Sequence, residues 1–471
     1  MARLREIREA SRHKTPQSVD YLLKALGDPD PTVRRAAAWS LGALAEPRAR
    51  ALLETALGDP VPEVRSIAAE ALGALGRPES LPSLIKALAD PEAHVREQAA
   101  WALWSIGDPR AAPDLVRAVR DPDPAVRWSI ATALGRLPGP EGKAALVALL
   151  DDPSDRVRRE ALLSLGRGGY VDLAPLVRGR LTDPARRVRI AAAVVLGRFQ
   201  DRPSVPRLLE MLRNDESWVH PAVLVALGRI GDPEAAPTLV AESGHRASWV
   251  RVCALHALGD LGARQGRAAA LGRVSDPAWS VRGAAAECLG RIGESADLGV
   301  LLALLEDDHP WPRRCAVYAL GQLGLTEAAP RIREELAHPE PEVRLAAVWS
   351  LGRLGDDGAR EAIAGLLRAT DPPSPSGGTL AEGDGAVRIV SDAEGKLFDT
   401  SLQALGRIAP LSTDPAIVRA LLEARGRIGE AELDRPARLP TAEGLPGTSS
   451  PPSLRHLFEA ALPGEDDELG C

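Results

Sequence analysis

Apolar positions along this chain recur with the spacing of a helix surface, and whole phrases built on that spacing recur at a longer interval. In "DPDPAVRWSIATALG" (121–135), Val126, Ser129, Ile130, Ala133 and Leu134 fall at i, i+3, i+4, i+7 and i+8. At about 100° per residue they form one helix face. The phrase returns as "DPDPTVRRAAAWSLG" ending at Gly42, "DPVPEVRSIAAEALG" at Gly73 and "HPEPEVRLAAVWSLG" at Gly352. Its Leu-Gly ending marks Gly42, Gly73, Gly135, Gly166, Gly197, Gly228, Gly259, Gly290, Gly321 and Gly352. The period is 31 residues throughout, with Trp104 standing in the glycine's place between Gly73 and Gly135. One further copy ends at Gly406, a step of 54 that contains a 23-residue insertion.

Each period predicts two helices. The first is short, as in "AAPDLVRAV" (111–119), and an Asp-Pro pair ends it. A second pair, such as Asp30–Pro31 or Asp123–Pro124, supplies an N-cap carboxylate and a proline pre-set for the first helical turn. The second helix then runs some 14 residues to the Leu-Gly, which reads as its terminator. Thirty-one residues cannot bury two helices unaided, so successive units must stack into one continuous core.

The consensus "DPxxxVRxxAAxALGxLG" resembles the HEAT-like repeats first associated with phycobilin lyases, over residues 16–409. That resemblance implies an all-α fold, an α-solenoid of about twelve two-helix repeats in a curved superhelical array with the second helices on its concave side. Residues 1–15 read as a leader helix, and the Pro-, Gly- and Ser-rich stretch 370–392 as a loop insertion in the last repeat. Residues 410–433 read as a capping helix and 434–452 as a linker. Residues 453–471 read as a short amphipathic helix with an acidic tail; Leu454, Leu457, Phe458, Ala461 and Leu462 share one of its faces.

Aromatic residues make up only 3% of the chain, and nine of them are Trp against three Tyr and three Phe. The core must therefore be aliphatic, and the indoles need another account. Counted back from the Leu-Gly glycine, Trp39, Trp101, Trp104, Trp128, Trp218, Trp249, Trp279, Trp311 and Trp349 fall within about 100° of arc opposite the core stripe. Large apolar groups on such a face mark an interaction surface. These nine are the candidate partner-binding residues. The competing expectation is that superhelical twist half-buries them against adjacent units.

Of 58 basic residues only five are Lys, and Arg recurs eight places before the glycine from Arg34 to Arg344, interrupted by His220 and replaced by Phe398 in the copy ending at Gly406. A cation near a helix start opposes the macrodipole and requires a local anion. Asp28, Asp59, Asp90, Asp121, Asp152, Asp183 and Asp276 repeat at the same period. A planar guanidinium can bridge neighbouring turns, so this file reads as architecture.

The net charge of −7 disfavours nucleic acid as a partner. None of the eight His precedes Glu, and no HxxxH or HExxH occurs. The His-Glu steps needed by the di-iron deoxyhypusine hydroxylases, which the fold resembles, are missing. Cys253, Cys288 and Cys315 occupy core places, without a CxxC. Spacing thus yields no catalytic set, metal site or cofactor. The charged N-terminus and the lack of a long apolar run point away from membranes and toward the cytoplasm. The resulting expectation is a non-enzymatic scaffold or adaptor that binds a protein partner through its Trp-bearing concave surface. The resemblance supplies an alternative, a phycobilin-lyase-like subunit that binds a tetrapyrrole chromophore and its carrier protein.

Overall fold

The structure, a computed structural model, describes residues 2–12, 15–137, 139–214 and 218–369, together with Ser401 and Ala404. The insertion at 370–392, the capping helix at 410–433, the linker and the C-terminal amphipathic helix lie outside the described residues. The described residues form 24 α-helices, linked by short 3-10 turns, and no strand. They belong to two compact units, Met1–Asp215 and Glu216–Cys471.

Within the first unit the long helices Pro31–Ala43, Pro62–Leu75, Ala93–Ile106, Pro124–Leu134, Asp155–Arg167 and Arg186–Phe199 each pack on the next. Short helices such as Arg50–Ala56 and Leu81–Ala87 back them in a second layer. The second unit repeats the construction with His220–Ile230, Ser248–Leu261, Trp279–Ile292, Pro310–Gln322 and Pro341–Leu354. Both are α-solenoid stacks, and the stripe Val126, Ser129, Ile130, Ala133 and Leu134 is buried between layers.

The Asp-Pro starts behave as the sequence predicts. Asp30 accepts the Thr32 N–H at 2.9 Å and Asp123 the Ala125 N–H at 2.7 Å, each with proline next in the helix. The Leu-Gly glycine, expected to end the helix, does so only in part. Pro124–Leu134 ends at Gly135, but Pro62–Leu75 runs straight through Gly73 and stops at Gly76, whose φ of +65° is left-handed. A Cβ on Gly73 would lie 2.8 Å from the Ala102 Cα on the next long helix, and one on Gly228 would lie 2.8 Å from the Ala257 Cα. The landmark glycine is where backbones of successive layers touch. At Gly135 and Gly321 the facing residues are Ser164 and Ser350, whose buried hydroxyls donate back to the carbonyls of Ala131 and Val317 at 2.8 Å.

The Arg file forms the ladder that its period implied. Arg65 Nη1 donates to the Asp59 carbonyl of its own turn at 3.0 Å. Its Nε and Nη2 fork onto Asp90 of the next turn at 2.7 and 2.8 Å. Asp90 in turn accepts the Glu92 N–H, tightening the turn that presents it. The same rung joins Arg34 to Asp59, Arg96 to Asp121, Arg127 to Asp152 and Arg158 to Asp183, then Arg251 to Asp276 and Arg282 to Asp307 in the second unit.

Candidate functional site

The nine indoles divide by exposure. Trp39, Trp101, Trp218 and Trp279 are exposed, most strongly Trp218 at 68% and Trp39 at 56%. Trp104, Trp128, Trp249 and Trp311 are half-buried. Trp349 departs from the expected solvent-facing role, being only 8% exposed. It shares its helical place with Trp39 and Trp101, but Tyr318 of the preceding long helix meets it edge-on at 5.2 Å, and the Arg353 guanidinium lies 5.1 Å from its ring centre. Trp311 is held differently, lying across Gly283 of the preceding helix, where a Cβ would come within 2.2 Å of its ring. Arg314 stacks over the same ring at 4.1 Å.

Rings also pair with one another. In the first unit Trp101 stacks on Trp104 at 4.5 Å, and Arg136 from the next repeat lies 5.3 Å from the Trp104 centroid. Trp104 is therefore the one landmark position at which an aromatic replaces the packing glycine. In the second unit Trp218 stacks on Trp249, one period later, at 5.2 Å, and Trp279 stacks almost parallel on His309 at 4.1 Å. These pairs hold indoles rigid while leaving one face of Trp218 and Trp279 open to solvent. Stacking between offset rings contributes about 1 kcal/mol beyond the area it buries, so the platforms are ordered before any partner arrives.

Polar groups lie among the rings. His256 Nε2 is 3.0 Å from Glu287, and the Cys315 thiol donates to the other Glu287 oxygen at 3.4 Å. Burial pushes the Glu287 carboxyl up, but the His256 hydrogen bond and charge outweigh it and leave it below its ordinary range. Cys288 and Cys315 are buried, and desolvation lifts Cys288 to about 12 and Cys315 well above an ordinary thiol. Both are inert packing groups, as their core places predicted, whereas Cys253 is half-buried.

One cluster escaped the sequence reading. His220, noted only as a break in the Arg file, is 6% exposed, and its Nδ1 lies 3.3 Å from a Glu242 carboxylate oxygen. The His245 ring meets it edge-on at 5.6 Å. The signal available in the sequence was a double replacement: His245 stands where other turns carry the ladder Asp, so both ends of one rung are His.

A family model described as HEAT repeats matches residues 2–73, 51–123, 81–166, 116–194, 173–251, 241–320 and 298–375. No curated protein matches the sequence. Among solved structures, yeast importin-β is similar at 14% identity and a TM-score of 0.58, over 90% of this chain and 66% of that one. Importin-β crystallised in ammonium sulfate is similar at 15% identity and a TM-score of 0.57, over 97% of this chain and 70% of that one. A complex of the two phycocyanin lyase subunits from Nostoc shares 24% identity over 58% of this chain and 94% of that one, at a TM-score of 0.27. At these identities the importin likeness concerns the fold alone. No described helix is long and apolar enough to cross a membrane.

Proposed function

The chain belongs to the HEAT-repeat family, and from that premise we propose that it is a non-enzymatic cytoplasmic scaffold whose long-helix face binds a protein partner. The observation that supports this most directly is the exposure of Trp218, Trp39 and Trp279 on an architecture whose layers are sealed by Ala, Leu, Val and Gly. A fold whose core is almost wholly aliphatic, with Trp349 the buried exception among the indoles, nevertheless holds stacked indoles with one face in water. Trp in such a position is the residue that contributes most per contact when a partner covers it, at about 2 kcal/mol or more. Arg136 and Arg314, which lie over indole rings, add donors beside the apolar surface.

The test is partner capture by wild type and by the Trp39→Ala/Trp101→Ala and Trp218→Ala/Trp279→Ala pairs, each checked for a wild-type circular-dichroism melt. Loss of the same partner from at least one folded pair is the expected result. Equal recovery by all three proteins sinks the reading. Adding a bilin to the wild type distinguishes the tetrapyrrole alternative, which requires an induced visible band.

A further inference from the structure

We propose that His220, Glu242 and His245 form a binding site for a divalent transition metal of the zinc class, which clips one repeat to the next where the Arg–Asp ladder is broken. Their donor atoms lie within 4.8 Å of one another. Tetrahedral zinc with bonds of about 2.1 Å holds its ligands about 3.4 Å apart, and His220 Nδ1 and the Glu242 oxygen are already 3.3 Å apart. The His245 donor, within 4.8 Å of the other two, would complete a three-ligand set and leave a tetrahedral ion one position for water. Two imidazoles and a carboxylate are the donors that such ions select.

The ladder itself provides the comparison. An ordinary rung sets Arg at a helix start against Asp 25 residues later, in the next turn. At His220 and His245 that spacing is kept while both groups are exchanged for imidazole. Two other turns also lack their Asp, one at Asn214 and one at His338. At His338, Arg313 is retained and turns to Glu335, three residues before the His, at 2.9 Å. Glu242 occupies the corresponding place before His245. A turn histidine alone therefore leaves a working ion pair, and among the described residues only the 220–245 rung has lost its guanidinium as well.

A purely structural role explains part of this cluster. His245 Nδ1 accepts the Ala247 N–H at 3.0 Å, just as His338 Nδ1 accepts the Glu340 N–H, so either histidine can replace Asp as a turn cap. Capping does not explain His220. Its ring is buried, and its Nε2, shielded from solvent, has no hydrogen-bond partner among the described residues. Coordination through Nδ1, the nitrogen beside Glu242, would fix the ring proton on Nε2, so the metal accounts for burying the ring against Glu242 and not for that unpaired nitrogen. Binding at either nitrogen of His245 takes Nδ1 from the Ala247 amide, by occupying it or by moving the ring proton onto it. The turn exchanges one cap bond for a coordinate bond.

The experiment uses the tag-free full chain, stripped with chelator and titrated with Zn2+ by calorimetry and with Co2+ by visible absorbance. Expected are one zinc per chain, cobalt bands of tetrahedral intensity and a melting temperature raised by a few degrees. His220→Ala and His245→Ala should each weaken binding at least 30-fold. The His220→Arg/His245→Asp double variant rebuilds an ordinary rung. It should melt in chelator at or above the wild-type temperature and take up no stoichiometric metal. The Ala247 amide resonance should shift with zinc in the wild type only. A stripped wild type that binds no zinc, or zinc uptake unchanged in the double variant, overturns the proposal.

Discussion

At the scale of single side chains, the rung between Arg65 and Asp90 satisfies five donors and acceptors with two residues. Both side chains are about one-tenth exposed, and the guanidinium serves two turns at once. Burial alone would raise the Asp59, Asp90, Asp121, Asp183 and Asp307 carboxyls, but the Arg forks and turn N–H groups outweigh it and hold all five below the ordinary range. A carboxyl whose folded value is lowered contributes stability that is complete above its unfolded value, about 4, and is lost as pH falls through the folded one. Thermal melts should accordingly show no loss from these groups between pH 7 and 5 and a progressive loss below about pH 4. Arg65→Lys keeps the charge but not the fork and should flatten that acid limb. The indoles make a second case. Trp218→Ala removes an exposed ring and one stacking contact, so about 1 kcal/mol or less should be lost in urea unfolding. Trp349→Ala empties a buried site and should cost about 3–5 kcal/mol; the reverse order would show that the two rings have been assigned the wrong roles.

At the scale of helices, the two glycines of Leu-Gly-x-Leu-Gly do different work. Gly73 brings the helix Pro62–Leu75 against Ala102, while Gly76 supplies the left-handed residue that ends it and has open space around its α-carbon. Gly73→Ala should cost about 1–3 kcal/mol through overpacking. Gly76→Ala should cost about 1 kcal/mol through backbone strain, and Gly76→Asn less, since Asn tolerates that region. Asn at Gly73 should be worse than Ala there, and equilibrium unfolding of the four variants checks the ordering. The period, the Asp-Pro caps, the aliphatic stripe and the Arg–Asp rungs were legible because each depends on residues at fixed spacing within one or two repeats. The packing role of Gly73 was not, because a helix read alone offers two equivalent terminators three residues apart. Trp349 shows the same limit. Its helical angle equals that of Trp39, yet one ring has Tyr318 and Arg353 packed on it and is covered, while the other is wet. The His220–Glu242–His245 convergence was hidden for a related reason: its members are joined by the ladder's 25-residue reach rather than by any local motif.

At the scale of the whole molecule, each unit is a stack in which a long helix packs chiefly on its predecessor, its successor and the short helices beside it. Stability in such a stack is a sum of repeat terms and nearest-neighbour terms rather than the property of one shared core, so the unfolding free energy that a substitution changes belongs to the layers around it. Asp90→Ala tests this. The substitution strands Arg65 in a mostly covered position and removes one interlayer link, at a cost of about 3 kcal/mol. If that cost stays local, amides of Pro62–Leu75 and Ala93–Ile106 should exchange about 100-fold faster, at about 1.4 kcal/mol per tenfold. Those of Pro341–Leu354, in the other unit, should keep their wild-type protection. Uniform acceleration along the chain would instead mean that all layers open together. The distinction bears on the proposed function, since a solenoid whose layers open one at a time can lose an aromatic pair such as Trp101–Trp104 while Trp218–Trp249 stays intact. Hydrogen exchange of the Asp90→Ala protein, read beside its partner capture, therefore measures whether the aromatic platforms act separately or as one surface.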